Sequence, residues 1–109
     1  MYIPDKGDIV LVNFDPSSGQ EIMKRRPGIV ISRQAFNEHT GFAIVAPITS
    51  TIRGMKLEVT LPNTMATKGS ILIHQLKSMD FASRKIEFVE KAPGTVINHV
   101  TELATIIIK

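Results

Sequence analysis

The sequence predicts a mainly β fold, a small curled sheet or barrel with one amphipathic helix at its C-terminus. Three features lead there. Val, Ile, Thr and Phe gather in short runs between turn residues through most of the chain. Several of these runs are apolar without alternation, and the last stretch changes to a three-to-four spacing. At 109 residues the chain supports one hydrophobic core, so a single domain spanning 1–109 is expected.

Strands are expected near 8–14, 26–32, 42–49, 56–61, 70–79 and 85–90. In the first three, Ile9-Val10-Leu11-Val12, Gly28-Ile29-Val30-Ile31 and Phe42-Ala43-Ile44-Val45-Ala46 are apolar throughout. A single open sheet with one wet face would alternate, so both faces are expected to be covered, by a helix or by a second subunit. Lys56-Leu57-Glu58-Val59-Thr60-Leu61 does alternate and suits a strand with one solvent face. The polar segment Asn37-Glu38-His39-Thr40-Gly41 reads as a turn between the second and third strands. Val96, Ile97, Val100, Leu103, Ala104 and Ile107 form a helical stripe, with Pro93 suited to its first turn. Val, Ile and Thr are mediocre helix formers, so this helix should depend on docking that stripe against the sheet.

Composition narrows the functional classes. The chain has no cysteine, which removes disulfide frameworks and thiolate metal sites. Met1-Tyr2-Ile3-Pro4-Asp5-Lys6 lacks the basic-then-apolar pattern of a signal peptide, and no segment reaches the ~18 apolar residues of a membrane span. A cytoplasmic protein without a membrane partner is expected. The net charge of +3 permits a polyanionic partner without demanding one. Lys24, Arg25 and Arg26 are consecutive, and Arg84 and Lys85 form a second basic pair; each cluster reads either as solvated surface or as a contact for nucleic acid.

Pro27 restricts Arg26 to an extended conformation at the start of the second strand, which gives its guanidinium a defined direction. Thr49 ends the third strand, just past Pro47, where pairing is expected to stop. In an antiparallel hairpin, residues equidistant from the turn face each other, and the midpoint of 26 and 49 falls inside the polar segment. Arg26 and Thr49 are therefore expected to be cross-strand neighbours, able to offer forked donors and a hydroxyl to a phosphate. The loop from Asp15 to Arg25 is too long for a tight turn and brings Glu21 near Arg26, either as a general base or as a neutralising charge. His74, Gln75, Lys77 and Ser78 follow the apolar run Ile71-Leu72-Ile73 and read as polar groups around a groove. His74 suits proton transfer near neutral pH or a structural hydrogen bond. His39 and His99 have no partners at suggestive spacing. No ligand spacing for a metal, no phosphate-cradling glycine loop and no nucleophile elbow is present in the sequence, so no metal and no cofactor is expected.

Read together and in order, Gly7-Asp8-Ile9-Val10, Phe14-Asp15-Pro16, Gly19-x-Glu21, Arg26-Pro27-x-Ile29-Val30-Ile31-Ser32, Phe36-Asn37 and Pro47-Ile48-Thr49-Ser50 resemble the MazF/PemK toxin family. The likeness is strong from Gly7 to Ser50 and weaker through Gln75-x-Lys77-Ser78 and the terminal helix. It implies a compact, strongly bent SH3-like barrel (the CcdB/PemK toxin fold), a homodimer, and metal-free, sequence-specific cleavage of single-stranded RNA. It also implies a cognate antitoxin whose tail occupies the RNA groove. Position by position, Arg26 matches the family's catalytic arginine, Thr49 its active-site threonine and Glu21 its acidic loop position. Gln75 and Lys77 match a polar segment lining the groove, and Lys24 and Arg25 join them as candidate RNA contacts. His74 stands where several relatives have an aspartate. A carboxylate accepts only when ionised, whereas histidine donates or accepts, so the proton roles of those relatives do not transfer directly.

Two other readings compete. A non-enzymatic toxin of the same fold, resembling the CcdB poisons of a topoisomerase, relies on a C-terminal tryptophan; this chain has no tryptophan and ends Ile106-Ile107-Ile108-Lys109. An SH3-like barrel that only holds RNA would not need Glu21 beside an Arg26–Thr49 pair.

Overall fold

The computed structural model describes residues 1–109 except Ser17 and Gln20. The elements in chain order are β1 (Asp8–Asn13), β2 (Arg25–Val30), α1 (Gln34–Thr40), β3 (Phe42–Thr49), β4 (Glu58–Thr60), β5 (Ser70–Leu72), a 3-10 turn (Ile73–Gln75), β6 (Lys77–Asp80), β7 (Glu87–Lys91) and α2 (Gly94–Ile108). The strands form one antiparallel sheet in the order β4-β5-β3-β2-β1-β7, with β6 also on β3. Among the described residues no pairing joins β4 to β7, so the expected barrel is a bent sheet that stays open.

The unalternating runs have a simple physical origin. Successive strand residues point to opposite faces, and here each face has its own core. Ile9, Ile29, Ala46 and Ile48 face α2 and pack with Val96, Val100 and Ala104. Val10, Val12, Val30 and Val45 face the inside of the bend and pack with Phe14, Met79 and Phe81. Both faces are thus buried within one chain, by the helix on one side and by Phe14, Met79, Phe81 and the packed Tyr2, Ile3, Ile22 and Ile86 on the other. The helical stripe docks through Val96, Val100 and Ala104, but its last member, Ile107, stays exposed, as do Ile106 and Ile108.

Three details differ from the sequence reading. The polar segment 37–41 is largely helix: α1 ends at Gly41, whose φ of 76° gives the left-handed cap that glycine adopts without strain. Asn37 is fully buried because its amide donates to the carbonyls of Pro4 (2.8 Å) and Ser32 (3.2 Å), while its oxygen accepts from the Ser32 hydroxyl. The expected strand 70–79 is two strands, broken by the 3-10 turn, so β6 resumes on β3 in a different register. Finally, β3 does not lose its partners at Pro47. It leaves β2 there, and Ile48 and Thr49 pair on the opposite edge with Ile71 and Ser70 of β5.

Candidate active site

Arg26 is the second residue of β2, opposite Val12 of β1, and is followed by Pro27 where the β2–β3 ladder ends. That ladder pairs Gly28 with Pro47, Ile29 with Ala46 and Val30 with Val45. The ladder ends two residues short of the expected Arg26–Thr49 pair: Arg26 pairs with Val12 and Thr49 with Ser70, and helix α1 rather than a simple turn connects the two strands. The Nε of Arg26 donates to the carbonyl of Met23 at 2.9 Å. Among the described residues its two terminal nitrogens make no hydrogen bond or ion pair, so the fork is held at its base and open at its tip. Thr49 is nearly buried, and its hydroxyl oxygen accepts from the backbone N–H of Thr51 at 3.2 Å. Its backbone is closely covered: a Cβ on Gly69, whose φ is 123°, would lie 2.2 Å from the Thr49 carbonyl oxygen.

Glu21, His74, Gln75 and Lys77 converge. They line a concavity of about 150 Å³ with Phe14, Ile22, Pro47 and Leu76. The Gln75 side-chain oxygen accepts from the backbone N–H of Ile22 at 2.8 Å, which fastens the long loop to the 3-10 turn. Lys77 Nζ reaches the Phe14 carbonyl at 3.4 Å from β6. Glu21 accepts from the Ser18 N–H at 2.7 Å through one oxygen and makes no ion pair with Arg26, so the neutralising role does not hold in this structure. His74 is exposed on the 3-10 turn. Ser17 and Gln20, in the same loop, lie outside the described residues.

Not every candidate gathers here. Arg26 and Thr49 do not line this concavity, although Pro47, two residues before Thr49, does. Lys24 and Arg25 line a different one, with Arg84 and Lys85. Two residues passed over in the sequence, Arg53 and Met55, line a wider depression of about 610 Å³ with Glu21, His74 and Gln75. Their loop is fastened by Glu58, whose carboxylate accepts from the N–H groups of Arg53 (2.9 Å) and Gly54 (3.4 Å). No motif marks them; an Arg-Gly in a polar stretch was the sole signal. Among the described residues no three His, Asp or Glu side chains are placed to hold a metal ion, and no helix is long and apolar enough to cross a membrane.

The candidates thus fall into an open guanidinium at Arg26, a nearly buried hydroxyl at Thr49, and a separate polar concavity that holds the Glu21 carboxylate and the His74 imidazole. Comparisons with known proteins identify the family. Residues 5–108 match the family described as PemK-like, MazF-like toxin of type II toxin-antitoxin system. The chain is 36% identical to the endoribonuclease toxin MazF of Escherichia coli (strain K12) over 83 residues, 76% of this chain and 74% of that protein. It is 32% identical to the endoribonuclease PemK of Escherichia coli, across 94% of this chain and 81% of the relative. The crystal structure of MazF from Deinococcus radiodurans superposes with a TM-score of 0.93 at 36% identity, covering 99% of this chain and 98% of that one. A MazE–MazF complex from the same bacterium matches with a TM-score of 0.85 at 33% identity, over 99% and 97% of the two chains. The chain therefore belongs to the PemK/MazF toxin family, and its class is that of the endoribonuclease toxins.

Proposed function

We propose that this toxin cleaves single-stranded mRNA at a specific short sequence, without a metal ion or cofactor, and so inhibits translation and growth. One domain spanning 1–109 carries the activity in the cytoplasm. The supporting observation is the Arg26 fork, anchored through Nε on Met23 and open at its two terminal nitrogens, just beyond the last β2–β3 pair of Gly28 and Pro47. The 2′-hydroxyl of the cut nucleotide attacks the adjacent phosphorus. Its proton passes to a base, the bond from phosphorus to the 5′-oxygen breaks, and that oxygen takes a proton from an acid. Glu21 and His74, on the rim of one concavity, divide the two proton roles. Arg26 binds the non-bridging oxygens as their charge grows, and Thr49 supports it at the strand end. Lys24, Arg25, Gln75 and Lys77 hold the RNA.

Cleavage should survive excess EDTA, leave a 2′,3′-cyclic phosphate and a 5′-hydroxyl, and stop when the cut nucleotide alone is 2′-deoxy. Activity abolished by EDTA, or a 2′-deoxy substrate cut at the normal rate, overturns the mechanism.

The toxin also acts as a homodimer held in check by an antitoxin whose tail covers the RNA groove. Support comes from the family likeness and from the MazE-bound relative, not from the apolar strands, whose faces one chain already buries. A monomer in sedimentation at micromolar concentration contradicts the dimer. An antitoxin peptide that binds tightly while cleavage continues contradicts the overlap.

A further inference from the structure

The second basic pair of the sequence, Arg84 and Lys85, plays no part in the cleavage described above. It meets Lys24 and Arg25 across a concavity of about 310 Å³, whose remaining lining is Asn13, Asp15 and Ser83. The two stretches lie 60 residues apart in sequence and are stitched together. Arg25 donates to the Lys85 carbonyl (2.9 Å) and to the Glu87 carboxylate (2.7 Å). Arg84 donates to the carbonyls of Asn13 (2.9 Å) and Asp15 (2.6 Å), and the Lys24 N–H donates to the Asp15 carboxylate (3.1 Å). Both guanidinium groups are thus committed to building the concavity. The ammonium groups of Lys24 and Lys85 make no hydrogen bond or ion pair among the described residues.

Those two lysines share a second property. Lys24 has φ 69° and Lys85 has φ 52°, and among the described residues they are the only non-glycine positions with positive φ. The left-handed region is unfavourable for a side chain bearing a Cβ, and lysine lacks the short polar group by which Asn or Asp offsets the cost. Glycine would suit both backbones better. The ammonium, not the backbone, explains a lysine at each.

We infer that this concavity is a second phosphate-binding site, which grips the RNA backbone beyond the cut nucleotide. The inference rests on the ribonuclease reading and extends it. No lining residue is apolar, so an amphipathic protein segment would find no anchor, whereas a phosphate chain needs only donors and positive charge. Successive strand residues project to opposite faces, so Arg25 serves this concavity and Arg26 the cleavage site. An RNA strand passing over the end of the β1–β2 pair engages both. The contact is blind to sequence and sensitive to salt.

Lys85→Gly and Lys85→Glu test it in the full-length protein, because glycine removes the whole charged side chain while fitting the left-handed backbone, and glutamate reverses the charge. Each is assayed on two RNAs carrying the same cut site, an oligonucleotide barely longer than that site and a long unstructured RNA, across a salt series. On the long RNA, KM should rise severalfold for Lys85→Gly and more for Lys85→Glu, with kcat kept. The salt dependence should become shallower by roughly 0.7 in log–log slope per lost phosphate contact. The short RNA should be cut as by the wild type, and adding Lys24→Gly should deepen the loss on the long RNA. Unchanged KM and salt slope in Lys85→Glu overturn the inference. So do equal losses on both RNAs, and so does a defect confined to antitoxin binding. A wild-type protein that cuts neither RNA overturns the ribonuclease reading itself, an outcome distinct from variants that cut both alike.

Discussion

Arg26 carries two constraints at once: Pro27 keeps its backbone extended, and Met23 fixes its Nε. The first is legible in the chain, because a proline needs no coordinates. A symmetric count about the connection points from Arg26 to Thr49, but the β2–β3 pairs end at Gly28 and Pro47, two residues short of that pair. The second is not legible, and neither is the meeting of Glu21 with His74 and Gln75, which a loop bridges through the Ile22–Gln75 hydrogen bond with |i−j| of 53. No local pattern reports such a contact. Replacing Arg26 with alanine should lower turnover by roughly 10²-fold or more, the scale for one lost preorganised donor. Arg26→Lys should restore only part, because a point charge does not reproduce a fork. Single-turnover cleavage by variants of unchanged circular dichroism makes the measurement. Near-normal turnover in Arg26→Ala would remove it from the site.

At the scale of elements, the Thr49 end of β3 depends on how closely β5 can approach it. Gly69 precedes β5 and lies against the Thr49 backbone, leaving no room for a Cβ, and its φ of 123° disfavours any other residue. Its carbonyl also accepts from the Leu61 N–H at 2.9 Å, which sets the β4 side of the same turn. Gly69→Ala must therefore push β5 away or twist the Thr49 peptide, costing about 1–3 kcal/mol of stability. Its thermal midpoint should fall by several degrees, and turnover should drop beyond what the residual folded fraction explains. An alanine variant with wild-type midpoint and turnover would show that the crossing relaxes freely. Sequence pattern and secondary structure part where polar residues are buried. Asn37 looks like a turn residue in sequence, yet its amide serves two carbonyls in the interior and lets α1 form above β3. Likewise Ile73 to Gln75 continue an apolar strand pattern until His74 and Gln75 turn outward, a break that tertiary contacts dictate and local propensity does not.

Across the whole molecule, the open sheet is held in its bend by two cores and by carboxylates that tie distant segments together. The cores are legible as unalternating apolar runs; the ties are not, since nothing near Glu90 in sequence announces Thr67. Glu90 lies below the usual carboxylate range, chiefly because the Thr67 hydroxyl donates to it at 2.6 Å; burial opposes this, and the N–H groups of Thr67 and Ala66 add to it. At Glu58, burial pushes the carboxyl up but is outweighed by the Arg53 N–H, Ser70 and the N–H groups of Gly54 and Met55. At Asp5, burial is likewise outweighed, by the N–H groups of Gln34 and Lys6 and by the Lys91 ammonium. All three carboxyls titrate lower folded than unfolded, so between those values the unfolded chain binds more protons. Their contribution is complete above the unfolded range of ~4–4.5 and is lost as pH falls through the lowered folded values. The thermal midpoint should therefore hold steady from neutral pH down to ~5 and decline below ~4. Glu90→Gln keeps an acceptor for Thr67 but cannot titrate. It should lower the midpoint at neutral pH and decline less steeply in acid, so that the two curves converge at low pH. Curves that stay parallel throughout would mean that the Glu90 tie contributes nothing to the acid sensitivity, which would then belong to Glu58 and Asp5.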